Sequence, residues 1–436
     1  MTRFAELRTD TPKASTRSLK SLLPQEARSV LRVGADLARG GWRWLNGRPL
    51  LFPEFGSQTI EKDDIALVNA SLSRPEAWID SSIEESLQGE FSRWNGSAAA
   101  FAFMGGRVAL SACIEALGLE KGDEVVVPGY TCVVVPNAIT QAGLEVRYCD
   151  IELESFGPDF DSLRAAVTPR TRAVLVQHLY GLVCRDFERI LDFASVRKLR
   201  VIEDCAHSLG ATFNGRNVGN WGDAGFYSTE QSKIMSTFNG GIAVAKAPDV
   251  IERLRMFHDR APYPESDRIR RLLENVRYYS LVQNSPSRWF MRGLWAYRYR
   301  RDILKSTSDE ELQGILPRHY GEKMPAALAR IALNQLKKVD RFNRARRENA
   351  ERWHQRCVGL GLKTPTVTAG SIPVFLRYPV MVPQGKKYDA EWCLTQFGVL
   401  PGFWFSGELH PVRKVMPECP NATMAVERCM NLPTLA

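Results

Sequence analysis

From Ala98 to Ala245 the chain alternates short, almost unbroken apolar runs with longer stretches in which apolar residues return every three or four positions. The runs Glu124–Pro128, Ala173–Gln177 and Leu199–Glu203 lack the alternation of a half-exposed strand, so they predict strands buried on both faces, as in a parallel sheet. Val108–Leu117 and Phe187–Val196 carry the helical period and predict the crossovers. Strands alternating with helices predict a doubly wound α/β domain. Upstream, Ala27, Val30, Leu31 and Leu37 share one helical face while Arg28, Arg32, Asp36 and Arg39 fall elsewhere, and Trp42 and Trp44 follow. Such a basic amphipathic helix suits a membrane surface, the surface of its own protein or a second subunit. Arg260 to Arg318, dense in Arg, Tyr and Trp, shows no clean period and predicts mixed helices and loops. Pro325–Trp353 predicts one long amphipathic stretch with Leu328, Ile331, Leu333, Leu336 and Val339 as its apolar face. The expected organisation is an N-terminal extension over 1–58, a large α/β domain over 59–259, an Arg/aromatic-rich insertion over 260–318, and the long helix with a small α+β domain over 319–436.

Composition narrows the setting. A chain of 436 residues with 44% hydrophobic content can bury a sizeable core. Charge interrupts every apolar stretch before the roughly 20 residues a spanning helix needs, and the N-terminus lacks a secretory signal. A cytoplasmic protein is expected, with peripheral contact at the inner face of the membrane as a role for the basic helix. The nine cysteines are an odd, scattered set without a C-x-x-C pair, which predicts reduced thiols and no metal site. A net charge of +9 without a basic run or binding motif argues against nucleic acid and suits an anionic substrate or an anionic lipid surface.

Two segments carry chemistry. In Val201-Ile202-Glu203-Asp204-Cys205-Ala206-His207 a strand ends in an acidic pair, with His207 three residues beyond Asp204. Ligands of open α/β sheets bind at strand carboxyl ends, which places Asp204 well for a cofactor; the alternative is an ordinary helix cap. Next comes Gly225-Phe226-Tyr227-Ser228-Thr229-Glu230-Gln231-Ser232-Lys233, followed shortly by Gly240-Gly241. A hydroxyl for a phosphate, a lysine for an aldehyde and a carboxylate for a pyridine nitrogen are the requirements of pyridoxal 5'-phosphate (PLP).

Together with Gly122-Asp123-Glu124-Val125-Val126-Val127-Pro128, Thr168-Pro169-Arg170-Thr171-Arg172-Ala173 and His178-Leu179-Tyr180-Gly181, these segments resemble the DegT/DnrJ/EryC1/StrS family of sugar aminotransferases, from about Ile60 to Pro433. The resemblance implies a PLP-dependent transferase of fold type I: a mainly parallel seven-stranded sheet, a small C-terminal α+β domain and a homodimer with sites at the subunit interface. It implies Lys233 as the Schiff-base lysine, Asp204 on the pyridine nitrogen, His207 beside the ring hydroxyl, and Ser228 with the backbone at Gly106 and Arg107 on the phosphate. Arg107 stands where the family usually has Thr; turned inward, its guanidinium would replace that hydroxyl. Cys132 stands where an aromatic residue commonly stacks on the ring, leaving the stack absent or taken over by Tyr130. His178, Tyr180, Asn239 and His410 are expected to face the substrate, the last within Phe403-Trp404-Phe405-Ser406-Gly407-Glu408-Leu409-His410-Pro411, which resembles the family's late P-L-H segment. The expected reaction moves an amino group from glutamate or glutamine to a keto sugar, nucleotide-linked. Two alternatives are a lipid-linked or natural-product ketone at a membrane surface and a non-catalytic PLP-binding sensor or scaffold. Lys233 argues against the family's dehydratases, in which a histidine replaces the lysine.

Overall fold

A computed structural model describes residues 58–284, 307–317 and 319–435. The basic segment Ala27–Ala38, with Trp42 and Trp44, lies outside the described residues, as do positions 285–306 of the Arg/aromatic-rich stretch. Seven strands form the central sheet: β1 (Ala99–Phe103), β2 (Glu124–Pro128), β3 (Glu145–Cys149), β4 (Thr171–Gln177), β5 (Arg200–Asp204), β6 (Ala224–Ser228) and β7 (Gly241–Ala245). Their order is β3-β2-β4-β5-β6-β7-β1. All neighbours run parallel except β7, which is antiparallel to both β6 and β1. The helices that matter below are α1 (Lys62–Leu72), α2 (Gly106–Ala116), α3 (Val134–Gln141), α4 (Phe187–Arg197), α5 (Ser266–Asn284), α6 (Ala326–Leu336) and α7 (Val339–Gly359).

The apolar runs are strands because both faces are covered. Val126, Val174, Val176 and Val201 join the hydrophobic cluster that includes Phe187 and Ile190 of α4. Val125, Val127, Leu175 and Ile202 join the opposite cluster with Val108, Leu110 and Ile114 of α2. Since side chains alternate along a strand, Asp204 shares the α2 face with Ile202, while Glu203 goes with Val201 to the other side. A further cluster gathers Tyr130, Phe156 and Tyr180 with residues of the C-terminal segment, including Val380 and Met430 of an antiparallel strand pair, Tyr378–Met381 with Cys429–Leu432.

Three expectations need correction. The strand expected over Leu199–Glu203 runs one residue further, so Asp204 is its last member. The single long stretch Pro325–Trp353 is two helices, α6 and α7, separated at Lys337 and Lys338. The break lets the Lys338 Nζ reach Asp63 at 2.9 Å and Asp64 at 2.7 Å in the first turn of α1. The start of the Arg-rich stretch is not aperiodic. α5 buries Ile269, Leu272, Leu273 and Val276 completely, a helical stripe hidden in the sequence by Arg268, Arg270, Arg271 and Arg277 around it. None of the nine cysteines is paired. Among the described residues no helix is long and apolar enough to cross a membrane.

Candidate active site

The carboxyl ends of β4, β5 and β6 and the first turn of α2 open into a cavity of about 420 Å³. That is within the usual size of a small-molecule site. Gly106, Arg107, Cys132, His178, Asp204, His207, Ser228, Lys233, Asn239 and His410 all line it. Tyr130 and Tyr180 do not. Both are fully buried, and their hydroxyls spend themselves on one another at 2.9 Å, on the Trp404 carbonyl at 2.6 Å and on the Phe405 amide at 3.1 Å. The Tyr130 ring packs against Phe156 and Phe405, so it takes no stacking role in the cavity.

Asp204 is 7% exposed and accepts one hydrogen bond, from the Ala206 amide at 3.0 Å. Burial raises its pKa to about 6, against the pull of that amide, Lys233 and His178. Its neighbour Glu203 has the opposite fate. Its carboxylate accepts from the amides of Gly219, Trp221 and Gly222, each at 2.7 Å, and from His178 Nε2 at 3.2 Å. The acidic pair therefore divides into a structural clamp on the 219–222 loop and a free acid facing the cavity. His178 is spent likewise, because its Nδ1 accepts from the Cys184 amide at 3.2 Å.

Lys233 sits in the loop joining β6 to β7. That loop is closed by Thr229 N to Gly240 O at 2.8 Å, Thr237 N to Thr229 O at 2.9 Å and Gln231 N to Phe238 O at 3.1 Å. Gly240 suits that turn, since a Cβ would run into the buried Thr229 hydroxyl and meet Thr237 Oγ1 at 2.8 Å. From below, the buried Arg346 donates to the Ile234 carbonyl at 3.4 Å. The loop aims the Lys233 Nζ at His207 Nε2, 2.8 Å away. His207 Nδ1 accepts from the Tyr180 amide at 3.3 Å; burial, then Lys233 and His410, push the imidazole well below its usual pKa. His410, whose Nδ1 accepts from the Ser406 amide at 3.1 Å, is lowered to about 3 chiefly by burial.

Sequence reasoning missed the aromatic wall. Trp404 stacks on His207 with ring centres 5.3 Å apart, the Lys233 Nζ lies 5.2 Å from the Trp404 ring centre, and the Arg377 guanidinium lies 5.3 Å from it. The only signal was its place in Phe403-Trp404-Phe405, shortly before His410. It missed Gln177 too, which lines the cavity while bridging Thr131 Oγ1 at 2.7 Å and the Tyr130 carbonyl at 3.0 Å.

The opposite end of the cavity fits a phosphate. Gly106 begins α2 beside Ser228: a Cβ on Gly106 would meet the Ser228 Cβ at 2.9 Å and Oγ at 3.2 Å. First-turn amides and a hydroxyl thus converge, and the Arg107 side chain lines the same cavity, the usual chemistry of an anion cradle. A lysine amine and an unpaired buried acid face the same space. The residues fit PLP: an aldehyde for the amine, a pyridine nitrogen for the acid and a phosphate for the cradle.

A mixed sheet of this order, with an acid ending β5 and a lysine between β6 and β7, defines an α/β enzyme of the PLP-dependent transferase type. The sequence matches the model of the DegT/DnrJ/EryC1/StrS aminotransferase family over residues 58–286 and 290–436, and the chain belongs to that family. It is 28% identical over 355 residues to GDP-perosamine synthase of Caulobacter vibrioides, covering 79% of this chain and 83% of that protein. It is 27% identical over 352 residues to the UDP-N-acetyl-3-dehydro-alpha-D-glucosamine 3-aminotransferase of Acidithiobacillus ferrooxidans, covering 80% and 82%. The solved E. coli GDP-4-keto-6-deoxy-D-mannose-3-dehydratase with bound hydrated PLP shares the fold, with a TM-score of 0.67 and 20% identity over 88% of this chain and 95% of that one.

Proposed function

We propose that this chain uses PLP to move an amino group from glutamate or glutamine to a keto sugar carried on a nucleotide. The observation that carries the reading is the Lys233 Nζ, held 2.8 Å from His207 Nε2 in the same cavity as the unpaired Asp204. Relatives that act on GDP- and UDP-linked sugars by name support the acceptor class.

When bound, the cofactor supplies an electron sink for the donor's α-carbon. The protein does the rest. Asp204 would keep a proton on the pyridine nitrogen, and its raised pKa reflects a burial cost that a cationic partner would relieve. The Tyr180 N–H occupies His207 Nδ1, so in a neutral ring the Nε2 proton faces the Lys233 Nζ and donates to the lone pair of the neutral amine, holding it in place beside the cavity. As a free amine, the Lys233 Nζ would be the group that takes the proton from the donor's α-carbon. Ser228 and the Gly106 and Arg107 amides would hold the phosphate, with the Arg107 side chain lining the same end of the cavity, and Trp404 closes the wall above His207. Asn239 and His410 border the remaining space, where they would meet the acceptor.

The test is spectroscopic. Purified protein mixed with PLP should develop the visible Schiff-base band, glutamate or glutamine should bleach it, and a nucleotide-linked keto sugar should restore it. Lys233→Ala should show neither the band nor a borohydride-reducible adduct. A reducible adduct in that variant would sink the assignment. A band that no amino donor bleaches would favour a sensor that binds PLP without turnover. The reading includes a homodimer, checked by light scattering.

A further inference from the structure

We propose that Glu311 sets how tightly the site grips the cofactor's phosphate, by competing with it for the Arg107 guanidinium. This rests on the reading that the cavity holds PLP. Arg107 is the second residue of α2 and lines the cavity where the first-turn amides meet Ser228. Its guanidinium is paired with the Glu311 carboxylate, and both side chains are largely withdrawn from water, 18% and 6% exposed.

Glu311 is not a stray surface acid. The Ser308 amide donates to its Oε2 at 2.8 Å, and its own amide donates to Ser308 Oγ at 3.2 Å. Asn137 of α3 donates to its carbonyl at 2.6 Å. Further on, the Tyr320 hydroxyl bonds Ser111 of α2 at 2.6 Å and donates to the Arg107 carbonyl at 3.3 Å. Leu312, next to Glu311, is itself part of the cavity wall. The segment is thus pinned to α2 and α3 by contacts that do not need the ion pair. The carboxylate stays in place, capped by Ser308, whether or not Arg107 remains on it.

A phosphate arriving at α2 finds an arginine already neutralised by a buried carboxylate. It gains the helix amides and Ser228 at once, and the guanidinium only by drawing it from Glu311. Glu311 therefore holds the noncovalent affinity below what the same cradle would have with Arg107 unengaged.

A double-mutant cycle on the full-length protein tests this. Cofactor-stripped protein is titrated with PLP, following the visible band, and with inorganic phosphate as a competitor that cannot react with Lys233. Glu311→Gln should tighten both dissociation constants about ten-fold and Arg107→Ala should weaken both by about the same factor. In the Arg107→Ala background, Glu311→Gln should then change little. An equal gain in both backgrounds would mean direct repulsion and overturn the competition, as would unchanged constants in Glu311→Gln. Should that variant not fold, Glu311→Asp, which shortens the reach to Arg107, is expected to tighten both constants, and no change there overturns the proposal equally. Failure of the wild type to form any band would instead remove the PLP reading itself.

Discussion

Replacing Asp204 by Asn should make the cofactor-free protein more stable and the enzyme useless, and the size of the first effect follows from the site. Asp204 titrates near 6 in the fold against 3.8 for an ordinary aspartate, because burial disfavours its charge. A carboxyl raised on folding favours the fold at low pH, and the advantage is lost as pH rises through the folded value. A rise of that size corresponds to a loss of about 3 kcal/mol, present in full above about pH 7, with about half of it already felt at pH 5. Asn keeps an oxygen for the Ala206 amide and carries no charge to bury. Its advantage over the wild type should grow from about 1.5 kcal/mol at pH 5 to about 3 kcal/mol at pH 8, or about 3 °C in melting temperature for a chain of this size. The assay is a set of thermal melts of stripped wild type and variant across that range. Saturating PLP should then reverse the order at pH 8, since only the acid can pair with the protonated pyridine. An advantage that does not grow with pH, or one that PLP leaves untouched, refutes the reasoning.

Glu203→Gln keeps the volume but turns an NH₂ toward backbone donors at 2.7 Å; it should cost about 3 kcal/mol by urea titration, with amide exchange rising first at 219–222. Cys132 is the one cysteine of nine that is not fully buried, so a thiol reagent should modify a single site on the native protein, slowly because burial raises that thiol's pKa. PLP should protect the site and Cys132→Ser should abolish it. His410, lowered to about 3, stays neutral above pH 5, and its ring proton resonances should stay flat from pH 5 to 9; a titration midpoint inside that window would contradict the burial of this ring.

What the sequence disclosed is what sits locally along it. A strand, its terminal acid and the lysine loop occupy one stretch, so Asp204, His207, Ser228 and Lys233 were readable before any geometry. The pattern could not say that Glu203 and Asp204 face opposite ways, because that depends on which strand residue ends the pairing. Tyr130 and Tyr180 were placed close to the cavity and turned the wrong way, because hydroxyls that find partners in the core no longer seek ligand. Trp404 and Glu311 were illegible as site residues for another reason: each arrives from far along the chain. The buried stripe of α5 was masked by arginines that carry its solvent face.

The opposite destinies of Glu203 and Asp204 bear on how this sequence can drift. The two differ by a single pleat, so removing or adding one residue within β5 would swing the clamp into the pocket and the chemical acid into the apolar layer against α4. Neither would be tolerated: one exchange unties the 219–222 loop, the other strands a charge among hydrocarbon. The length of β5 is therefore more tightly held than its exposed approach, where Ser195 to Lys198 can vary, and gaps in alignments of related chains should avoid the residues from Arg200 to Asp204 even where identity is low.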